Sequence, residues 1–297
     1  MRAMSPVQDA QRAQAPSALD SLMKTWLITG ASSGIGAALA RAVLKAGHNV
    51  AVTARNAARV SALADAAPDR VLPIALDLAH PDQIAAAVRA AEERFGGIDV
   101  LVNNAGLVYL GAVEEGEDAE VRKLFEANVF GLCAMLRAAL PGMRARGSGT
   151  VVNLSSASGL VAYPGLGYYS ASKFAVEGLT EALWQEVEPL GIKVILAEPG
   201  AFRTGINARS PRAPSNPACA PAAAEMLGFL EAAGDTICRG DPERAAAVIL
   251  RAVETGDAPH RLILGSDAYA GVTGKLDAMR AEYARWEAVS KSTDFLA

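Results

Sequence analysis

In the stretch Gly-Tyr-Tyr-Ser-Ala-Ser-Lys, residues 167–173, Tyr169 and Lys173 stand four positions apart. On a helix that spacing puts both side chains on one face. A free phenol gives up its proton only near pH 10, so a tyrosine that acts as acid or base at neutral pH needs a positive charge beside it. Lys173 supplies one. Tyr168 has no such partner, because the residue four positions after it is Ser172. Tyr169 is therefore the candidate general acid/base, and Tyr168 is expected to be a wall of the same pocket.

A second constellation is Thr-Gly-Ala-Ser-Ser-Gly-Ile-Gly, residues 29–36. Gly30, Gly34 and Gly36 lie between a run of strand formers and a run of helix formers that stops at Gly47, with Ser32, Ser33 and Ile35 filling the same turn. Glycines permit a tight turn and a close backbone approach, and the start of a helix offers unpaired N–H groups and a positive dipole end to a phosphate. The spacing, Gly-x-x-x-Gly-x-Gly, is a variant of the dinucleotide fingerprint and predicts a pyrophosphate seat. At the end of the second strand, where an NAD site usually has an acidic residue for the ribose 2′-OH, this chain has Ala54 and Arg55. A guanidinium accepts no hydrogen bond from a hydroxyl, but its planar fork suits a 2′-phosphate. NADP(H) is accordingly expected over NAD(H), with Ser32 and Arg59 as helpers.

Both constellations need strand ends to hold them. From Thr25 onward, short runs rich in Val, Ile and Leu (residues 25–29, 49–53, 70–76, 98–102, 149–155, 193–198 and 261–265) alternate with longer Ala-rich helical stretches. That rhythm predicts βαβ units in an α/β fold, a doubly wound seven-stranded parallel sheet, Rossmann-like, in a single domain over residues 23–297. The strands do not alternate with polar residues, as expected when helices cover both faces. Residues 1–22, rich in Ala, Gln, Ser and Pro with no apolar core, are expected to be a disordered extension. The Pro- and Ser-dense residues 207–221 break the rhythm and predict a substrate-loop insertion at about residues 205–240.

Further motifs follow in order: Asp77 in Leu-Asp-Leu after the third strand, Asn103-Asn104-Ala105-Gly106 after the fourth, Asn128 in Asn-Val-Phe-Gly, Ser155 and Ser156 ending the fifth, and Pro199 to Thr204 after the sixth. Together with the glycine turn and the Tyr-x-x-x-Lys pair, this resembles the short-chain dehydrogenase/reductase family over roughly residues 24–265. The resemblance implies a strand order of 3-2-1-4-5-6-7, with the dinucleotide lying across the C-terminal strand ends. It implies that Asp77, with Leu78 beside it, meets the adenine, that Asn104, Ala105 and Gly106 wall the adenine ribose, and that Pro199, Gly200 and Thr204 form the nicotinamide pocket. Asn128, Ser156, Tyr169 and Lys173 match the catalytic tetrad. The family's serine lies thirteen residues before its tyrosine, which selects Ser156 over Ser155. By the same resemblance Lys173 also grips the nicotinamide ribose, Asn128 holds a proton-relaying water, and a homodimer or homotetramer forms through the helices bearing the Asn128 and Tyr169 motifs.

In the direction of reduction, the cofactor would pass hydride to a carbonyl carbon while Tyr169 protonates the oxygen and Ser156 holds it. Residues 157–167 and the insertion after Thr204 are mainly small and apolar, so a fairly apolar ketone, aldehyde or secondary alcohol is the expected small-molecule substrate. Two rival readings remain open: epimerase or dehydratase chemistry on the same fold, and a non-catalytic dinucleotide sensor. The net charge of -4, with no basic stripe, gives no footprint for nucleic acid or an anionic membrane surface. Cys133, Cys219 and Cys238 are far apart, and His48, His80 and His260 have no partner at metal spacing, so no metal site and a reduced, cytoplasmic setting are expected. Polar residues interrupt every apolar run before about 18 positions, so no membrane span is expected.

Overall fold

The computed structural model describes residues 23–214, 216–255 and 259–295. The expectation for residues 1–22 lies outside them. In chain order, β1 (Thr25–Ile28) leads into α1 (Gly34–Lys45), β2 (Asn49–Ala54) into α2 (Ser61–Ala66), and β3 (Val71–Ala75) into α3 (Pro81–Phe95). Then β4 (Val100–Asn103) is followed by α4 (Asp118–Phe125), a π-helical turn (Glu126–Phe130) and α5 (Gly131–Arg146). β5 (Gly149–Leu154) leads into α6 (Gly167–Val187), and β6 (Ile192–Pro199) into α7 (Ile206–Arg209), α8 (Pro221–Ala233) and α9 (Pro242–Glu254). The chain closes with β7 (Arg261–Leu264) and α10 (Ser266–Lys291).

The seven strands form one all-parallel sheet in the order β3-β2-β1-β4-β5-β6-β7, as the motifs imply. The continuous aliphatic runs divide by the two-residue period of a strand. Trp26, Ile28, Val50, Val52, Val100 and Val102 face a core closed by α1 and α9. Their neighbours Leu27, Ala51 and Leu101 face a second core closed by α3, α5 and α6. The central strands are thus buried on both faces, which is why their sequences show no polar alternation, while the edge strands β3 and β7 are largely half-buried. The order in which strands are added reverses at β1, with β2 and β3 on one side and β4 to β7 on the other, and ligands of open α/β sheets bind in the crevice outside the carboxyl ends of the strands at such a switch point.

Among the described residues, one helix, Asp118–Arg146, is long and apolar enough to cross a membrane by length and composition. Its apolar side chains are already used: Leu132, Met135, Leu136, Ala139 and Met143 pack into the second core. The segment expected to be a long irregular insertion is partly helical. α7 is a single turn, residues 210–214 and 216–220 carry no helix, and α8 starts with Pro221 in its first turn, where a missing N–H costs nothing.

Candidate active site

The loops leaving β1 and β4 are tied together by Thr29, which is fully buried. Its Oγ1 donates to the Val102 carbonyl at 3.3 Å and accepts from the backbone N–H groups of Asn104 and Ala105, both at 3.0 Å. The Asn104 side-chain amide donates back to the carbonyls of Thr29 at 2.8 Å and Gly30 at 3.1 Å. Gly30 sits at φ 67, a left-handed conformation that favours glycine, and a Cβ there would come within 2.8 Å of Ala105 Cα. A Cβ on Gly36 would strike the Asn104 amide and the Gly30 carbonyl. The glycines are therefore demanded by the β4 loop as well as by any phosphate.

Ser33 caps α1 in extended conformation without a side-chain cap hydrogen bond, and no acidic residue lies in the first helical turn. Gly34 lies against the Thr204 methyl, and Ile35 is buried in the core on the α1 side. A dinucleotide pyrophosphate fits these features: helix-start N–H groups, a positive dipole end and a glycine turn, with the Arg209 guanidinium reaching Ser33 Oγ at 3.4 Å from the segment after β6. Ser32 is half-buried beside it, and Arg55 and Arg59 are exposed just beyond β2. Asp77 accepts from the Ala79 N–H at 3.1 Å, while its own N–H donates to Gln83 at 2.9 Å. Leu78 is buried against Gly131.

Across the crevice, α6 carries Tyr169, Lys173 and Glu177 at four-residue steps. Lys173 is buried, and its Nζ donates to the Leu154 carbonyl at 2.7 Å and lies 5.9 Å from the centre of the Tyr169 ring. Burial lowers the Lys173 ammonium to about 8, with Glu177 pulling it part of the way back. Burial likewise raises the Tyr169 phenol, and a hydrogen bond with Ser156 lowers it in part. Ser156 Oγ accepts from the Ser158 N–H at 3.1 Å and donates to the Pro199 carbonyl at 3.4 Å, so this serine links the ends of β5 and β6.

Asn128 occupies the π-helical turn, a geometry that re-aims side chains and is frequent at functional sites. Its amide clasps the Leu107 backbone, accepting from N–H at 2.7 Å and donating to C=O at 2.9 Å, and also donates to Ser172 Oγ at 3.0 Å. A Cβ on Gly106 would lie 3.3 Å from Asn128 Oδ1 and 3.7 Å from Lys173 Nζ, so the three residues converge. Pro199 and Gly200 end β6, and a Cβ on Gly200 would meet the Asp267 carboxylate. Tyr168 points elsewhere, with its hydroxyl donating to the Val113 carbonyl at 2.6 Å and its ring packed on Gly116 and Tyr109. Tyr169 instead packs with Leu166, Leu227 and Leu230, so α8 covers it. Next to this layer is an apolar cavity of about 290 Å³ lined by residues including Val113, Tyr163, Gly165, Ala220 and Ala223.

Sequence reasoning overlooked the polar groups behind Lys173. Glu177 and the fully buried Glu198 both pair with Arg261, at 2.5 and 2.9 Å, and Glu181 joins from the same helix at 2.8 Å. The opposite oxygens, Glu177 Oε1 and Glu198 Oε2, are buried with no hydrogen-bond partner among the described residues. Burial, then the neighbouring Glu177, raises the Glu198 carboxyl to about 7, as expected for two adjacent carboxylates holding a proton between them. The one visible signal is Glu198 itself, a carboxylate directly after the aliphatic run Val194 to Ala197. Thr29 gave less warning, since a threonine after a strand is ordinary.

A doubly wound parallel sheet with a glycine turn after β1 and a Ser–Tyr–Lys group at the ends of β5 and α6 defines a dinucleotide-dependent oxidoreductase class. The chain belongs to the short chain dehydrogenase family, whose model matches residues 24–214. It is similar to a short-chain dehydrogenase from Streptomyces avermitilis, with 45% identity and a TM-score of 0.85 over 92% of this chain and 100% of that one. A Burkholderia cenocepacia short chain dehydrogenase in complex with NADP is 29% identical, with a TM-score of 0.69 over 89% and 97% of the two chains. A Burkholderia phymatum short chain dehydrogenase/reductase in complex with NAD is 25% identical, with a TM-score of 0.75 over 93% and 98%. Members of the family act on CH–OH and C=O groups, and this chain is an oxidoreductase of that kind.

Proposed function

We propose that the chain interconverts a carbonyl and a secondary alcohol on a fairly apolar small molecule, using NADP(H) in preference to NAD(H). The observation that carries this reading is the meeting of Ser156, Tyr169 and Lys173 beyond the C-terminal end of β5, across the crevice from the glycine turn. A bound nicotinamide dinucleotide supplies the hydride that is given or taken. The first turn of α1 holds its pyrophosphate, and Arg55 is the cation at the β2 end that suits a 2′-phosphate. Neighbours bound to either NADP or NAD support a nicotinamide dinucleotide; the Arg55 argument supports the phosphorylated form.

Burial keeps Tyr169 protonated at neutral pH, so in the reducing direction its hydroxyl donates the proton to the substrate oxygen. Ser156 holds that oxygen by hydrogen bonding, and the Lys173 ammonium stabilises the phenolate left behind. The proton donor and the oxygen-holding contact are each worth about 10²–10⁴-fold in rate. Asn128 fixes the backbone at Leu107 beside Lys173 and positions that side of the pocket. The apolar lining of the neighbouring cavity and the apolar side chains of α8 favour an apolar substituent on the substrate.

Following NADPH oxidation with a panel of ketones and aldehydes tests the proposal. Turnover of apolar members, faster with NADPH than with NADH, is the expected result. NADPH binding with no turnover of any member would favour the sensor reading and overturn this one.

A further inference from the structure

The last helix leaves the domain. Among the described residues, α10 is anchored at its start: Asp267 accepts from the Ala201 N–H at 2.7 Å, and Ala268 and Val272 pack on Ala157, Leu160 and Val161. From Gly274 to Lys291 the helix continues, and all residues but the half-buried Met279 are exposed. At 1.5 Å per residue this arm is about 27 Å long. A helix of this length is marginal in water unless one face is buried.

This arm has a face to bury. Tyr269, Val272, Leu276, Met279, Tyr283 and Trp286 recur at alternating steps of three and four, the a/d seam of a heptad repeat. Val272 is spent on the domain, while Leu276, Tyr283 and Trp286 are 54%, 65% and 58% exposed. The flanking e and g positions are segregated by charge: Lys275 and Arg280 in the first half, Glu282 and Glu287 in the second, with Glu287 also reached by Lys291 of its own helix. A parallel copy in register would set Lys275 against Arg280 and Glu282 against Glu287, like against like. An antiparallel copy lays the basic half of one helix along the acidic half of the other, which is the arrangement a two-fold axis produces. Across residues 274–291 the charges nearly balance, which offers an anionic membrane surface little attraction.

We propose that α10 pairs, antiparallel about a two-fold axis, with α10 of a second copy of this chain. The contact is separate from the proposed activity and from the faces of α5 and α6 that the family resemblance implies for assembly. The test is the sedimentation-equilibrium mass of the full chain at micromolar concentration. It is run for wild type, for Lys275→Glu/Arg280→Glu and for Glu282→Lys/Glu287→Lys, with circular dichroism and thermal unfolding confirming that each domain is folded. The variants give the flanks a single sign, acidic in one and basic in the other. Wild type is expected at an even multiple of the chain mass, each variant alone at half the wild-type mass, and an equimolar mixture of the variants back at the wild-type mass. A monomeric wild type, a variant with unchanged mass, or a mixture that does not recover overturns the proposal.

Discussion

The turn after β1 and the segment after β6 touch each other, with Thr204 against Gly34, yet they are held by different means. The turn is locked by Thr29 and Asn104 to the loop after β4, and at Gly30 and Gly36 there is no space for even a methyl group. The segment over residues 205–240 is rich in Ala, Pro and Gly, and packs in one apolar cluster with Leu166 and Tyr169 through Ile206 and through Leu227 and Leu230 of α8. Backbone geometry fixes the part that meets a ligand shared by a whole family. The part proposed to face the substrate supplies apolar volume, which many sequences can provide.

This contrast predicts where substitution matters. Gly36→Ala should have the largest effect, because the new methyl meets the Asn104 amide and the Gly30 carbonyl. Overpacking of this kind costs about 1–3 kcal/mol, and displacement of the turn should weaken dinucleotide binding by about 10- to 100-fold. Calorimetry and NADPH fluorescence titration would measure both, and an unchanged Kd would show that the turn has slack. Arg55→Ala should weaken NADPH binding by about tenfold or more, in line with the loss of a charge-assisted hydrogen bond, and leave NADH binding unchanged. Equal losses for both cofactors would remove the 2′-phosphate role.

β6 joins the two regions, and Glu198 near its end adds a pH dependence. A carboxyl raised from 4.5 to about 7 binds more protons folded than unfolded, so its contribution to stability is present below pH 4.5 and is lost as pH rises through 7. Glu198→Gln mimics the protonated form and should flatten that slope, by on the order of 1–2 kcal/mol between pH 5 and pH 7.5 in urea unfolding. An identical slope in the variant would place the proton elsewhere. The smallest effect is expected in the covering segment: Ala222→Phe, at the cavity rim, should raise KM for bulky ketones by about threefold and leave the NADPH Kd alone. A large loss of cofactor binding there would erase the distinction between the two regions.

The same contrast governs what could be read from the chain. All seven strands and the order of the motifs were legible, because burial of the central strands on both faces writes unbroken aliphatic runs, the edge strands β3 and β7 keep aliphatic runs of their own, and the glycines and asparagines sit at fixed offsets. The group of Glu177, Glu198 and Arg261 was not, since Glu198 and Glu177 lie 63 and 84 positions from Arg261 and the three meet only when β6 and β7 pair beside α6. Asn128 stands out in the sequence through its Asn-Val-Phe-Gly motif. Its clasp on Leu107 does not, because that depends on a π-helical turn that carries no composition signal. Tyr168 is the instructive case: adjacent to Tyr169 and of the same type, it differs only in direction, its hydroxyl spent on Val113.

That pair gives the most direct measurement of the central claim. Tyr169→Phe and Tyr168→Phe each remove a single hydroxyl from neighbouring positions of one helix. NADPH binding and turnover of a reducible ketone are to be compared side by side in wild type and both variants. Tyr169→Phe should lose about 10²–10⁴-fold in kcat with NADPH still bound, while Tyr168→Phe stays within a fewfold of wild type. Equal losses in the two variants, or full turnover without the Tyr169 hydroxyl, would contradict the assignment of Tyr169 as the proton donor.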